Sequence, residues 1–202
     1  MVVIGDRIGY NQVGKEHMQA EELFNQNIEE FFCRYCEEKL TMAQDLLSPW
    51  AYYRGWDVYN DHLVKAIEPL TSEQLALTIS PNLRSVGSLA RHIVHIRASW
   101  LYNLMGEGGP EVKAIADWGY EGDVPPADEL VRGLTVTFRA WKECLERWTP
   151  EDLEYVFRGD RWGRPYELSR QWVIWHVIEH DLHHGGELSF SLGAHGLAAP
   201  DI

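Results

Sequence analysis

Between Trp175 and Glu187 the chain reads WHVIEHDLHHGGE, and no other stretch limits so strongly what it can fold into. Four of its nine histidines fall there. Residues four apart on an α-helix share a face one turn above one another, so His176, His180 and His184 make a single stripe. Two imidazoles stacked in this way can reach one metal ion. The residues around the stripe, Trp172, Val173, Ile174, Trp175, Val177 and Ile178, are too apolar for a surface helix. A buried row of histidines needs polar partners, and a shared cation meets that need at least cost. Two ligands from one helix hold a metal poorly, so a third is expected from elsewhere. The candidates are His17, His62, His92, His95 and His195. The plainer alternative is a helix whose histidines face water.

The 202 residues, 45% of them apolar, suffice for one full core and predict one domain with an appendage. A net charge of −13 argues against nucleic acid and anionic membranes as partners, since both select a basic face. A small molecule or another protein is expected instead. Nine tryptophans and nine tyrosines are many for this length and point to an aromatic core or a lined pocket. No apolar run reaches the ~18 residues of a membrane span. Met1–Arg7 lacks the basic start and long apolar run of a secretory signal, so a cytoplasmic location is expected. Three cysteines do not make a disulfide framework.

Along the chain, residues 1–15 are polar and read as loose. From Lys15 to Leu47 the positions Phe24, Ile28, Phe31, Tyr35 and Met42 follow helical steps and predict an amphipathic helix. Its Cys33-Arg34-Tyr35-Cys36 lacks the second cysteine pair of a zinc site, and Cys144 stands alone, so the pair reads as small residues on a helix. Ser48-Pro49 opens a helix expected to run through Trp56, Leu63 and Ile67 to Pro69. Thr71 to Gln74 is a capping signal for a short helix. Ser85 starts another, carried by Val86, Leu89, Ile93, Ile96, Trp100 and Leu104 to Gly106. His92 and His95 lie inside it on neighbouring faces, and spacing does not choose between them. Gly106 to Pro126, with Trp118 and Tyr120, reads as a long ordered loop of the kind that forms pocket lids. Helical periodicity resumes from Asp128 to Trp148. Tyr155 to Tyr166 predicts a short hairpin or crossover. Ser169 then caps the histidine helix, expected to end at Leu192 before Gly193.

Two segments carry a family resemblance. Ser85–Ile93, SVGSLARHI, looks like a helix start in which a histidine follows a small-and-apolar turn, and His180–Leu188, HDLHHGGEL, is similar to a His-x-x-His-His-Arg-Gly-Gln-Ile pattern. Both belong to the DinB-like (DinB/YfiT) metal-binding four-helix bundles. The resemblance implies an all-α four-helix bundle over residues 48–193 and leaves outside it an N-terminal extension (1–47) with its amphipathic helix; the residues themselves add the short β-like excursion before the last helix and a tail (194–202). It implies the ligands His92, His180 and His184, with His176 and His183 behind them or in the core. It also implies a homodimer, with the Lys15–Leu47 helix near the contact. Gly185 and Glu187 depart from the pattern's arginine and glutamine.

Three neutral imidazoles leave a divalent ion, zinc or nickel by donor type, with open positions, the arrangement of catalytic rather than structural sites. Relatives of this kind include thiol-dependent S-transferases and isomerases using bacillithiol, mycothiol or glutathione. The resemblance therefore implies activation of a small thiol for attack on an electrophile, with Trp118, Tyr120, Arg161 and Trp162 as candidates for the pocket rim. A metal-dependent hydrolase and a non-enzymatic, stress-linked metal-binding module are the alternatives.

Overall fold

The computed structural model describes residues 48–161 and 163–200. The Lys15–Leu47 helix with Cys33 and Cys36, His17, Trp162 and the side chain of Arg161 lie outside the described residues. The rest is mostly helical. In order come α1 (Trp50–Tyr53), α2 (Gly55–Ile67), α3 (Ser72–Leu75), α4 (Val86–Ser99), a π-helical segment (Trp100–Leu104), α5 (Gly109–Ala116), α6 (Ala127–Arg147), α7 (Pro150–Leu153), a hairpin of β1 (Val156–Arg161) and β2 (Arg164–Ser169), and α8 (Arg170–Ala194). None of the described helices is long and apolar enough to cross a membrane.

The helix starts follow local chemistry. Ser85 Oγ accepts from the Ser88 amide at 3.2 Å and Ser169 Oγ from the Trp172 amide at 3.1 Å, each satisfying an amide with no partner inside its helix. Thr71 with Gln74, and Thr149 with Asp152, form reciprocal capping boxes. β1 and β2 pair antiparallel from Val156↔Ser169 to Arg161↔Arg164, so the chain enters α8 directly from the hairpin.

Four boundaries differ from the sequence reading. The helix opened by Ser48-Pro49 loosens at Arg54, whose backbone stays right-handed (φ −55°, ψ −29°), so α1 and α2 form one slightly broken rod. The expected loop from Gly106 to Pro126 contains α5. Gly106, Gly108 and Gly109 take positive φ to turn the chain, Pro110 then suits a first helical turn, and Val112, Ile115 and Ala116 bury one face. α4 passes into the π-helical segment at Trp100 instead of continuing regularly to Gly106. Finally, α8 runs through Gly193 to Ala194 and the chain turns away at Gly196 (φ 70°), where the Gly196 and Leu197 amides bond the Gly193 and Leu192 carbonyls at 3.0 Å. That pair of bonds closes the helix end.

α4 is the central helix, packed against α8, α6 and α5, while α2 packs against α6. Its residues are therefore buried almost all round, Arg91, His92, His95 and Arg97 included. Leu63, Ile93, Leu134, Trp141, Ile174 and Leu188 are among the fully buried side chains. Within this core lies a polar layer. Arg97 and Asp181 are both 0% exposed and their charges meet at 2.7 Å. Arg97 Nε donates to Asp181 Oδ2 at 2.8 Å and Nη1 to Asn60 Oδ1 at 2.7 Å, while Trp56 Nε1 donates to the same Asp181 oxygen at 2.7 Å. Tyr59 Oη donates to the Asp181 carbonyl at 3.0 Å, and Trp141 Nε1 to the Arg97 carbonyl at 3.0 Å. The layer thereby ties α2, α4, α6 and α8 together.

Breaking a buried pair strands one charge. Asp181→Ala is expected to lower unfolding stability by about 3–5 kcal/mol in urea denaturation, and Arg97→Met with Asp181→Leu to cost less than the two single changes added. A loss below about 1 kcal/mol for Asp181→Ala would show that the pair carries no such weight.

Candidate metal centre

α4 and α8 each turn histidines inward at the same level. His92 and His95 are both buried, at 8% and 3% exposure. They meet different neighbours. The His92 ring centre lies 4.8 Å from that of His180 and 4.7 Å from that of His184, which are themselves 4.3 Å apart. His95 instead stands edge-on to Tyr120 at 4.9 Å. The Ile115 carbonyl approaches its ring closely enough to offset part of its desolvation, though not in hydrogen-bond geometry.

One nitrogen from each of His92, His180 and His184 lies within 4.8 Å of the other two. The Nε2 atoms of His92 and His180 are 3.1 Å apart. Around a tetrahedral ion with ~2.1 Å bonds, ligand nitrogens stand roughly 3.4 Å apart, so this pair needs to part only slightly to share a cation. His184 Nδ1 lies 2.7 Å from Glu187 Oε2. A carboxylate only accepts, so Nδ1 holds the proton and Nε2 keeps the free lone pair, the tautomer in which a carboxylate supports a metal-binding imidazole. The Nδ1 atoms of His92 and His180 are buried without a partner among the described residues.

Electrostatics keep the donors unprotonated. Burial pushes His92 down to about 4, helped by the positive charge of Arg84 and by the neighbouring rings of His184 and His95. Burial and the rings of His184, His92 and His176 push His180 to about 3. Burial lowers His184 too, against the opposing pull of Glu187. Neutral imidazoles are what a divalent ion requires. Together these features make the three residues a group that could hold a metal ion. His183, His184 and Glu187 form a second such group, more exposed, that shares His184.

The other histidines of α8 lie to either side. His176 is half-exposed, its ring stacked on Trp172 at 4.8 Å and 6.2 Å from the ring of His180. His183 is exposed, its Nε2 3.6 Å from Glu187. Of the rim candidates, Tyr120 stands 6.3 Å from the His92 ring. Trp118 packs against Gly133 of α6, and its carbonyl accepts from Arg91. Two cavities are lined by neighbours of the cluster. One, of about 600 Å³, is bounded by the π-helical segment, β2 and the start of α8, and His176 and Tyr120 line it. The other, of about 500 Å³, includes Arg84, Leu89, Glu187 and Phe190.

A family model described as the DinB superfamily matches residues 56–188, well over half of the 202-residue chain. The chain belongs to the DinB superfamily. It is similar in fold to the crystal structure of a DinB-like protein from Bacillus cereus, with 24% identity and a TM-score of 0.57 over 77% of this chain and 98% of that one. A DinB-like protein from Bacillus subtilis aligns with 18% identity and a TM-score of 0.47 over 79% and 94% of the two chains. No curated protein matches the chain. Where this DinB protein carries Gly185, a Cβ would collide with the Tyr59 hydroxyl, so the larger residue of the family pattern is incompatible with the Tyr59–Asp181 bond.

Several site features escaped the sequence reading. Arg97 and Asp181 lie on the apolar stripes 89/93/97 and 174/178/181/185/188, and a charge at such a position is the signal that could have found them. The Glu187–His184 contact reads in sequence as an ordinary surface pair.

Two outcomes test the centre. In equilibrium dialysis the DinB protein should bind one zinc or nickel ion per chain, and His92→Ala or His180→Ala should weaken binding more than about a hundredfold, beyond the effect of losing a supporting contact. Unchanged binding in both variants would exclude the cluster as the site. For acid stability, folded His92 and His180 protonate near 4 and 3, below the ordinary histidine value of 6.5. The unfolded chain thus takes up protons first as pH falls, so stability without added metal is complete above about 6.5 and lost toward about 3–4. Melting temperatures across that range should fall less steeply in His180→Phe.

Proposed function

We propose that His92, His180 and His184 hold one divalent ion, zinc or nickel, and that this DinB protein activates a low-molecular-weight thiol of the bacillithiol, mycothiol or glutathione type for S-transfer to an electrophile. The observation that carries the proposal is the convergence of three neutral imidazoles, with a cavity large enough for a small molecule approaching them through His176, whose ring lies 6.2 Å from that of His180. Bound there, the ion would hold a thiol sulfur as thiolate and keep coordination positions open.

The chain's own residues supply the rest. Glu187 fixes the tautomer and ring plane of His184. Arg84 adds positive charge near His92 and His184, which favours an anionic sulfur beside them. In a substitution the thiol sulfur bonds the electrophilic carbon as the bond to the leaving group breaks, and the thiol proton departs with that group; in an addition the C=C π bond breaks and the proton ends on the α-carbon. Either way the thiol sulfur is the nucleophile and the protein needs to supply none. Cys144 is unsuited to be one, because burial pushes its thiol up to about 11.

A purely structural ion is the less favoured reading. The Arg97–Asp181 pair already joins α4 to α8 in the same region, so those helices do not depend on an ion for their contact. Hydrolysis by the same ion has no observation of its own in support.

Metal-loaded protein, metal-stripped protein and His180→Ala should be assayed with each thiol against 1-chloro-2,4-dinitrobenzene and a panel of α,β-unsaturated carbonyls. Conjugation at least about tenfold above the stripped form, lost in His180→Ala, is expected. Equal rates in all three preparations would overturn the thiol-transfer reading.

A further inference from the structure

The 600 Å³ cavity beside the histidines has walls whose chemistry is specific. Trp172 stacks on His176 with an interplanar angle of 12°, and Trp100 meets both rings edge-on, at 6.2 Å from Trp172 and 5.0 Å from His176. These contacts join the end of α4 to the start of α8, so the aromatic corner is assembled before any ligand arrives. Tyr166 of β2 also lines the cavity. The π-helical segment contributes Trp100, Asn103 and Leu104 to the lining, a use consistent with the frequent placement of π turns at functional sites.

Charge narrows the choice of ligand. Arg164 lines the cavity, and no acidic residue does among the described residues. Among the neighbouring arginines whose side chains are described, Arg158 is occupied with Glu167 at 2.9 Å and Arg170 with the Asp152 carbonyl at 2.7 Å. Arg164 has no ion-pair partner among the described residues, so its guanidinium is available at an otherwise aromatic cavity. On a chain of net charge −13, an unpaired cation there is a local reversal of the field. Aromatic faces alone could cradle a cation, but Arg164 would repel it. An aromatic or conjugated ring with an anionic group satisfies both features, the ring against Trp100 and Trp172 and the anion in the guanidinium fork.

We infer that this cavity binds the electrophile and selects a planar, unsaturated or aromatic anion. As the second substrate of a thiol transfer, the inference rests on the function proposed above, whereas the binding preference stands without it. His176, 6.2 Å from His180, and Tyr120, 6.3 Å from His92, are where the cavity approaches the cluster.

Isothermal titration of the full, metal-free chain separates the two ideas, because no reaction and no metal ligation contribute. The probes are naphthalene-2-sulfonate, the neutral 2-naphthylmethanol and the cationic 2-naphthylmethylammonium. The sulfonate should bind with one-to-one stoichiometry and about tenfold tighter than the alcohol, as one charge-assisted contact implies. Arg164→Ala should erase that tenfold advantage and leave the alcohol unchanged. Trp172→Ala should weaken both probes. Both side chains are exposed, and circular dichroism confirms that each variant is folded. Equal binding of the three probes, tighter binding of the cation, or a sulfonate preference that survives Arg164→Ala would each overturn the inference. If the sulfonate preference holds while the conjugation assay fails, the thiol reading falls and the cavity assignment stands.

Discussion

The structure depends first on one buried ion pair. Arg97 and Asp181 are sealed from water, and a lone charge in that position would be costly to keep. Their geometry is held by Trp56 and Asn60 from α2 and by backbone carbonyls. Such a layer admits few alternative helix registers, because sliding α8 by a turn would strand Arg97 among apolar side chains. Asp181 follows His180 directly in sequence, and Arg97 follows His92 by little more than a turn. The register that pairs the charges therefore brings the imidazoles together as well.

α8 consequently does two jobs along its length. One stripe, through Ile174, Ile178, Asp181, Gly185 and Leu188, faces the core. The adjacent stripe carries His176, His180 and His184, which lie at the edge of that core rather than at its centre. Burial is enough to hold His92 and His180 neutral. His184 keeps a surface connection through Glu187. A group at such an edge combines unprotonated donors with access from outside, the pairing that a reactive site requires and a closed structural site does not. The aromatic cavity next to it draws its walls from α8, β2 and the π-helical segment.

Much of this fold was legible in the sequence because it is written in local chemistry. Ser85, Thr71 and Ser169 announce helix starts through bonds spanning three residues. The hairpin followed from its β-formers and turn residues. α5 was hidden because glycine and proline density signals a turn, and here the turn and the helix after it occupy the same stretch. The end of α8 was misplaced for a related reason. Gly193 and Gly196 both qualify as stops, and the choice falls to the one whose downstream residue, Leu197, folds back to bond the Leu192 carbonyl. The choice between His92 and His95 was open to spacing because α4 is packed from several sides and buries both.

By itself the sequence determined the helical periods, the caps and the stripe of histidines on the last helix, since each depends on residues within two turns of one another. It also carried the family pattern that singles out His92, His180 and His184. Only the tertiary structure decided which rings meet. It placed Arg97 on Asp181 across 84 residues and His92 on His180 across 88. It likewise brought Trp100 to Trp172 to form the aromatic corner. The physical reason is that helix periodicity specifies a face but not a partner. Partners emerge when buried charges and apolar faces are satisfied together, and that condition involves the whole domain at once.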